Sequence, residues 1–233
     1  MKKSSGKMIA GVVTVVVILI LIVPSALLVL TRAAADDISV GCIVIEISGD
    51  NSEVSVELDY DRRMEIDAQK GEFGNRTVDV DMKGGTVSAS LNETEFSDLV
   101  GSERALIRGK VRPFPPLPWL EMELKERVDL SFLNELKSTI RIEAINVLSV
   151  ENSSLEVLLN ISSDFSRDVS LEVDGANGSL NTDGSSHPLV VSDMSIEDNR
   201  GYALIVVPLV SLYRLFISPG GFWIGFWGME VRF

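Results

Sequence analysis

Apolar and polar residues alternate along several short segments between residues 54 and 173. A period of two places the apolar side chains of a strand on one face and the polar ones on the other, which is typical of antiparallel sheets packed over a core. Turn-forming pairs separate these segments: Gly84-Gly85, Asp174-Gly175, Asn177-Gly178 and Asp183-Gly184. The pattern therefore predicts a β-sandwich. The apolar positions are Val54, Val56, Leu58 and Tyr60; Val78, Val80 and Met82; Val87, Ala89 and Leu91; Leu155, Val157, Leu159 and Ile161; and Val169, Leu171 and Val173.

A much longer apolar segment, residues 8–30, contains no charged residue and follows three lysines in residues 1–7. As a helix it would span about 34 Å, enough to cross a hydrocarbon core of about 30 Å. Lysines beside such a helix favour the cytoplasmic side. The sequence thus predicts a cytoplasmic tail over residues 1–7, a transmembrane helix over residues 8–30 and an extracellular remainder, in a single-pass protein of the cell membrane.

A cleaved signal peptide is the alternative to a retained anchor. Three alanines, residues 33–35, precede Asp36 and Asp37 and resemble a cleavage site that ends at Ala35. The apolar core of a signal peptide is about 7–15 residues long, shorter than residues 8–30, so its length favours a retained signal-anchor.

The exported part has the same order of features in its two halves. In each half a strand, a polar break and a second strand lead to a turn, near Gly71 in the first half and Gly178 in the second. A short helix then follows, predicted over residues 93–100 and 208–217. A strand around a glycine closes each half, over residues 105–111 and 222–231. We expect two tandem antiparallel β-sandwich domains, residues 36–112 and 139–233, each with a short helix.

Residues 113–138 separate the two predicted domains. Four prolines between positions 113 and 118 predict a stiff, extended spacer. Apolar residues then recur at spacing four over residues 120–137, which predicts an amphipathic helix, or a mixture of helix and strand, packed on the second domain. These residues are Leu120, Leu124, Val128, Phe132 and Leu136.

Charge excludes one class of partner. The chain has 34 acidic and 21 basic residues, and four of the basic ones (Lys2, Lys3, Lys7 and Arg32) precede the first acidic residue, Asp36. The exported part therefore has a formal charge of −17. Nucleic-acid phosphates need basic partners, so we expect no nucleic-acid binding.

The residue types that carry chemistry are scarce. Cys42 is the only cysteine and His187 the only histidine, so neither a His/Cys zinc site nor a Cys–His nucleophile pair can form. Acidic pairs such as Asp79 and Asp81 lie on the polar face of a strand by alternation, which indicates a solvated edge and not an active site. We expect no enzyme activity, no catalytic residue, no metal and no cofactor.

Two groups of residues are candidate sites. Five N-glycosylation sequons lie on the expected outer side, at Asn75, Asn92, Asn152, Asn160 and Asn177. The apolar C-terminal segment contains a second group, Phe222, Trp223, Phe226 and Trp227. Because both faces of that strand are apolar, it is either fully buried or in contact with a membrane or a partner.

Residues 145–161, INVLSVENSSLEVLLNI, resemble the opening of a type 2 late-embryogenesis-abundant domain, also called the WHy domain. Residues 175–180 fit the Gly-rich hairpin of that family, residues 208–217 its helix and residues 224–231 its closing strand. The resemblance covers residues 139–233 and, more loosely, residues 36–112. Asn152-Ser153 stands where the family has Asn-Pro. The resemblance implies a small β-sandwich with a helix, no catalytic residues, and a role in stress protection or interaction at the cell envelope.

The leading hypothesis is a non-catalytic, membrane-anchored glycoprotein, best matched to an archaeal cell surface, with a binding or structural role that includes stress tolerance. Its partners would be the lipid bilayer, through residues 8–30, and an envelope component or protein, with a homo-oligomer as an open alternative. Two other hypotheses are a carrier that holds a hydrophobic ligand or lipid between sheet and helix, and a pilin-like subunit of a surface filament.

Overall fold

A computed structural model describes most of residues 37–232. The described residues are 25–26, 29–30, 32–33, 37–102, 104–113, 115, 121–131, 141–163, 169–182, 184–211 and 223–232. The predicted transmembrane helix and spacer lie largely outside them, and so does most of the helix predicted over residues 208–217. Among the helices in the described ranges, none is long and apolar enough to cross a membrane.

The chain is mainly β, as predicted. Within the described residues, the first half (37–131) contains eight strands and one helix, and the second half (141–232) contains seven strands and the helical residues 209–211. The elements of the first half are β1 Ser39–Ser48, β2 Asn51–Asp59, β3 Glu65–Phe73, β4 Arg76–Asp79, β5 Asp81–Lys83, β6 Thr86–Asn92, α1 Glu93–Gly101, β7 Arg104–Arg112 and β8 Met122–Asp129. Those of the second half are β9 Arg141–Glu151, β10 Ser154–Ser162, β11 Val169–Thr182, β12 Ser185–Glu197, β13 Arg200–Pro208, β14 Trp223–Phe226 and β15 Met229–Arg232.

The strands form two sheets. Eleven strands make the larger sheet, in which nine follow the order β5-β6-β2-β1-β11-β12-β13-β10-β9 and β14 joins β11 to β15. The smaller sheet has the order β4-β3-β7-β8. The chain passes from the smaller sheet to the larger one at Val80, between β4 and β5.

Each strand pairing of the first half recurs in the second. The first half has the antiparallel pairs β1–β2, β2–β6, β5–β6, β3–β4, β3–β7 and β7–β8. The second half has β9–β10, β10–β13, β12–β13, β11–β12, β11–β14 and β14–β15 in the same order. The long strand β12 takes the place of both β4 and β5. β9 is therefore the counterpart of β1, and β11 that of β3.

One pairing joins the two halves, and it is parallel. Residues 43–48 of β1 pair with residues 169–174 of β11. The sequence predicts antiparallel sheets, and this pair is the exception among the described strands. β14 pairs only with residues 178–181 of β11 and leaves the rest of that edge to β1. Beyond this pair, the N–H of Gly49 donates to the carbonyl oxygen of Asp174 at 3.0 Å.

A single apolar cluster fills the interior and draws on both halves. In β1, Ile43, Ile45 and Ile47 are 0–1% exposed. The helix predicted over residues 93–100 is confirmed as α1, and Asn92 caps it through a capping box. The Glu95 N–H donates to Asn92 Oδ1 at 3.0 Å, and the Asn92 N–H donates to Glu95 Oε2 at 3.1 Å.

Of the two alternatives predicted for residues 120–137, an amphipathic helix or a mixture of helix and strand, the helix is wrong for residues 122–129, which form β8. This strand pairs with β7 of the first half, whereas the sequence predicts packing on the second. Leu124 and Val128 are buried. Glu126 lies between them on the same face and interrupts the apolar alternation, so Leu124 and Val128 stand four residues apart, as they would on a helix.

The hairpin predicted over residues 175–180 is also wrong, because these residues continue β11 and pair with β12. Gly178 serves a close approach: a Cβ atom there would lie 2.9 Å from the carbonyl oxygen of Gly225 in β14. The closing strand predicted over residues 224–231 is two strands, β14 and β15. Trp227 and Gly228 connect them with φ values of 49° and 75°, as in a type I′ turn.

Candidate functional site

β9 forms one end of the larger sheet. Its hydrogen-bonded neighbour is β10, and no described strand pairs with its other edge. Its central residues, 144–150, carry no charge. An unpaired edge presents backbone N–H and C=O groups that can accept a further strand.

Four apolar side chains of β9 are more than half exposed. The values are 57% for Ile145, 58% for Val147, 53% for Leu148 and 59% for Val150. Full burial of one such side chain contributes about 1.5–3 kcal/mol, so covering these four would contribute on the order of 3–6 kcal/mol. We call these four residues the β9 surface.

Three residues of the β9 surface continue the inner face of the sheet. Ile145 pairs with Leu159, Val147 with Val157, and Val150 with Leu155. The three partners on β10 are all buried. The β9 surface is therefore an extension of the core face past the last covered strand, and it is apolar for the same reason that the core is.

Two bulges keep these side chains on one face. The pairing with β10 shifts register at Leu148 and at Glu143, neither of which has a directly opposite residue. Val147 and Val150, three positions apart, would face opposite sides of a regular strand, and the bulge at Leu148 realigns them. The same holds for Ile142 and Ile145 across the bulge at Glu143. This surface could not be predicted from the sequence, because the bulges interrupt the period of two in β9.

Further apolar residues lie near the hairpin end of β9. The N–H of Leu209 donates to the carbonyl oxygen of Ser153, in the β9–β10 turn, at 2.8 Å. Leu209 and its neighbour Val210 are themselves 40% and 70% exposed. The turn residues Asn152 and Ser153 have φ values of 46° and 68°, the left-handed conformation of a tight hairpin turn.

The smaller sheet has a long edge strand of another kind, β8. Its outer face is covered by ion pairs in which basic residues of β7 lie between acidic residues on either side. Arg108 pairs with Glu72 at 2.8 Å and with Glu123 at 3.3 Å. Glu121 pairs with Lys110 at 2.7 Å and with Arg112 at 2.9 Å. Charged residues along an edge strand disfavour the addition of a further strand.

These contacts shift the pKa values of the paired groups. Hydrogen bonds from Lys110 and then Arg112 lower the pKa of Glu121, and a hydrogen bond from Lys125 lowers that of Glu123. Desolvation raises the pKa of Glu126, which points to the inner face of β8. Glu126 thus places an acidic side chain at the margin of the core on this edge, whereas β9 places valine and isoleucine there.

The first half also encloses an apolar cavity, which bears on the carrier hypothesis. Its volume is about 50 Å³, and its lining, between the two sheets, includes Val56, Phe73, Leu91 and Ile107. Ligand pockets usually measure about 300–1,000 Å³. This cavity is therefore too small for a lipid.

The five predicted glycosylation sites all have exposed asparagines. Asn75 and Asn152 lie in turns, Asn160 and Asn177 lie on β10 and β11, and Asn92 is the N-cap of α1. A glycan would be linked through the Asn92 side-chain nitrogen, so the Oδ1 atom that caps α1 stays available. Their glycosylation stays a prediction.

Of the two alternatives for the apolar C-terminal segment, burial and contact with a membrane or partner, Phe226 and Trp227 show burial. Each is only 4% exposed. The Trp227 ring packs edge-on against Phe96 of α1, with ring centroids 5.8 Å apart and planes at 73°. The tight turn at residues 227–228 directs this indole into the core beside the first half. Trp223 is half-buried, and Phe222 lies outside the described residues.

The remaining candidate chemistry stays dispersed. Cys42 is half-buried, and Asp81 pairs with Lys83 at 3.1 Å. In the described ranges, no three His, Cys, Asp or Glu side chains come together as metal ligands would.

The sequence matches no protein-family profile and no curated protein. Among solved structures, the full extracellular region of plexin A4 aligns with 84% of this chain at 8% sequence identity, with a TM-score of 0.22. The alignment covers 26% of the plexin chain. A similarity at this level carries no argument about fold or function.

Proposed function

We propose that this chain is a non-catalytic, membrane-anchored protein of the cell envelope, whose extracytoplasmic part acts by binding a partner through the β9 surface. The observation that carries the proposal is the exposed apolar edge of β9. An edge strand with an uncharged centre and four apolar side chains more than half in water is unstable against association. The edge of β8 in the same chain is charged, and it therefore disfavours such association.

The domain division proposed with this function is two tandem β-sandwich domains, residues 36–112 and 139–233. The recurrence of six strand pairings in the same order supports the duplication. The resemblance to the type 2 late-embryogenesis-abundant domain, with its implied role at the envelope or in stress tolerance, belongs to the same proposal. The anchor is the apolar segment 8–30, and the localisation is the outer side of the cell membrane.

Of the alternative functions, the carrier has less support. The described apolar cavity of about 50 Å³ holds no more than a very small molecule. The buried Phe226 and Trp227 also remove two of the four aromatic residues that would form a mouth for a ligand. A filament subunit remains compatible with the β9 surface, since filament contacts are also binding contacts.

The test is protease treatment of intact cells, followed by mass spectrometry of the released and retained peptides. We expect release of peptides from residues 37–233, with residues 8–30 retained in the membrane and glycans on the exposed asparagines. Cells opened before treatment provide the control for protease access. Protection of the whole chain in intact cells, without glycans, would contradict the extracytoplasmic location.

A further inference from the structure

We propose that the β9 surface binds the β9 surface of a second copy of this chain, as an antiparallel pair centred on Asn146. The inference rests on the proposed function, because it takes the β9 surface as the binding site and places both copies on the same side of the membrane. It adds the identity of the partner, the direction of the strands and their register.

The edge that corresponds to the free edge of β9 is already paired elsewhere in the chain. β1, the counterpart of β9, places its outer edge against β11 of the other half. An edge of this type therefore already joins two units in this fold. Among the described strands, β9 has only β10 as a neighbour, so its outer edge has room for a strand of a second copy.

A head-to-tail repeat of the β1–β11 pairing is blocked. It would require β9 to pair with β3, the counterpart of β11. The corresponding edge of β3 is occupied by β7, from Glu65 opposite Arg112 to Phe73 opposite Ala105. In the second half, β14 covers only residues 178–181 of β11, which is why β1 finds space there. A symmetric contact between two β9 strands needs no other acceptor.

The sequence of β9 is complementary to itself in one antiparallel register. With Asn146 opposite Asn146, Ile145 lies opposite Val147, and Ile142 lies opposite Val150. These four residues share the inner face, so apolar residues meet apolar residues on both sides of the twofold axis. At each end the basic Arg141 lies opposite the acidic Glu151. Centring the pair one residue later, on Val147, would instead place Glu143 opposite Glu151.

The other edges of the described sheets are poorer acceptors. β8 carries the charged residues already described, and β4, β5 and β15 have only three or four residues each. β9 has eleven residues and spans about 36 Å at the rise of a strand. It is thus the longest of these edges and the one with an uncharged centre.

The test is disulfide cross-linking of the full chain in native membranes. Cys42 is the only cysteine, so Cys42→Ser gives a background without thiols. In that background Asn146→Cys places two thiols directly opposite each other, where Cα atoms of paired strands lie about 4.5–5.5 Å apart, within disulfide range. We expect a covalent dimer after mild oxidation, at least tenfold more abundant than with Glu151→Cys.

Glu151→Cys is the matched control on the same strand. In the proposed register the two 151 positions are about 33 Å apart and cannot form a disulfide. Cross-linking at both positions would overturn the antiparallel register, because a parallel pair brings every residue opposite itself. Cross-linking at neither position, with both variants folded by circular dichroism, would overturn the dimer.

A second measurement avoids introduced thiols. Native mass spectrometry of the detergent-solubilised chain should show a dimer of the 25.4 kDa polypeptide. Val147→Lys should raise the dissociation constant at least tenfold, whereas Val190→Lys, a partly exposed valine elsewhere in the same sheet, should leave it unchanged. Equal dimer populations for the two variants would contradict the inference. Cell-surface exposure and glycosylation, which test the proposed function, are measured independently of dimer formation.

Discussion

β1 and β9 occupy the same place in the two halves and differ in what lies beside them. Each is the first strand of its half and pairs antiparallel with the strand that follows. The inward residues of β1, Ile43, Ile45 and Ile47, are 0–1% exposed, whereas the corresponding Ile145, Val147 and Val150 are 57–59% exposed. Aliphatic character is the same in both sets, and burial is not.

Whether the apolar side chains of such a strand are buried depends on whether the strand has a second neighbour in the sheet. β1 has β2 on one side and β11, a strand of the second half, on the other. The core residues of the second half therefore lie beside β1. β9 has only β10 among the described strands. The same type of apolar strand is therefore buried in the middle of the larger sheet and has an unpaired, exposed edge at the end of that sheet.

The largest expected effect comes from placing a charge in each strand. Ile45→Asp buries a carboxylate without a partner and should lower the free energy of unfolding by more than about 4 kcal/mol. Val147→Asp leaves its carboxylate in water and should change that free energy by less than about 0.5 kcal/mol. Urea unfolding of the purified chain, followed by tryptophan fluorescence, measures both.

Equal destabilisation by the two substitutions would show that Val147 is covered in the folded molecule. β1 and β9 would then not differ in burial. The measurement is made at low protein concentration, because association through the β9 surface would otherwise contribute to the stability of the reference chain.

The second prediction concerns the contact of α1, in the first half, with the β14–β15 turn of the second half. Trp227→Ala removes a buried indole packed on Phe96 and should cost about 3–5 kcal/mol. Trp223→Ala, a half-buried indole of the same hairpin, should cost less than half as much. Thermal unfolding by circular dichroism distinguishes them, and an equal cost would contradict the core position of Trp227.

The third prediction separates the two roles of Asn92, at the start of α1. Asn92→Ala removes the cap and the sequon together and should cost about 1 kcal/mol. Thr94→Ala destroys the same sequon and leaves the capping box intact. We expect Thr94→Ala to abolish any glycan at this site with little change in the unfolding midpoint. If Thr94→Ala destabilised the chain as much as Asn92→Ala, the glycan and not the cap would be the stabilising group.

The smallest effects concern the charged edge strand, β8, which sharpens the contrast with β9. Glu121 has a lowered pKa in the folded chain, so its ion pairs stabilise the fold above about pH 4.5 and lose that contribution as the pH falls through the lowered pKa. Glu121→Gln should therefore lower the unfolding temperature at pH 7 and have no effect near pH 2.

For Glu126 we expect the opposite change in the unfolding temperature at pH 7. Its pKa is raised by desolvation, so its ionised form opposes folding above the unfolded pKa, and protonation at lower pH relieves this. Glu126→Gln should raise the unfolding temperature at pH 7, with the difference lost in acid. The same sign for both variants at pH 7 would contradict the placement of Glu121 among cations and of Glu126 at the core margin.

Strands with a regular period of two could be predicted from the sequence. The segments around Val54, Val87 and Leu155 are β2, β6 and β10, because their apolar residues alternate without a bulge. The helix α1 was also predictable, since Asn92 and Glu95 form a capping box three residues apart.

The errors have local physical causes. Asn177-Gly178 has the composition of a hairpin turn, but the glycine there accommodates the backbone of β14. Glu126 on an inward position made β8 resemble a helix. The aromatic residues near the C-terminus have a sequence equally suited to a core and to an interface, and only the contact of Trp227 with Phe96 decides between them.

The exposed edge of β9 could not be predicted from the sequence. Its residues are of the same kind as those of β1, and its two bulges obscure the alternation. Whether a strand has a second neighbour depends on pairings between distant segments, such as residue 43 with residue 169, which no local pattern encodes.

The parallel pair β1–β11 also imposes a delay on folding during synthesis of the chain. β1 is made first, but its partner residues 169–174 emerge more than a hundred residues later. At a synthesis rate of about 5–20 residues per second, this delay is on the order of ten seconds. During that interval the nascent first half carries an open, isoleucine-lined edge like that of β9. A chaperone or the export machinery that shields it for those seconds would protect the growing chain from aggregation.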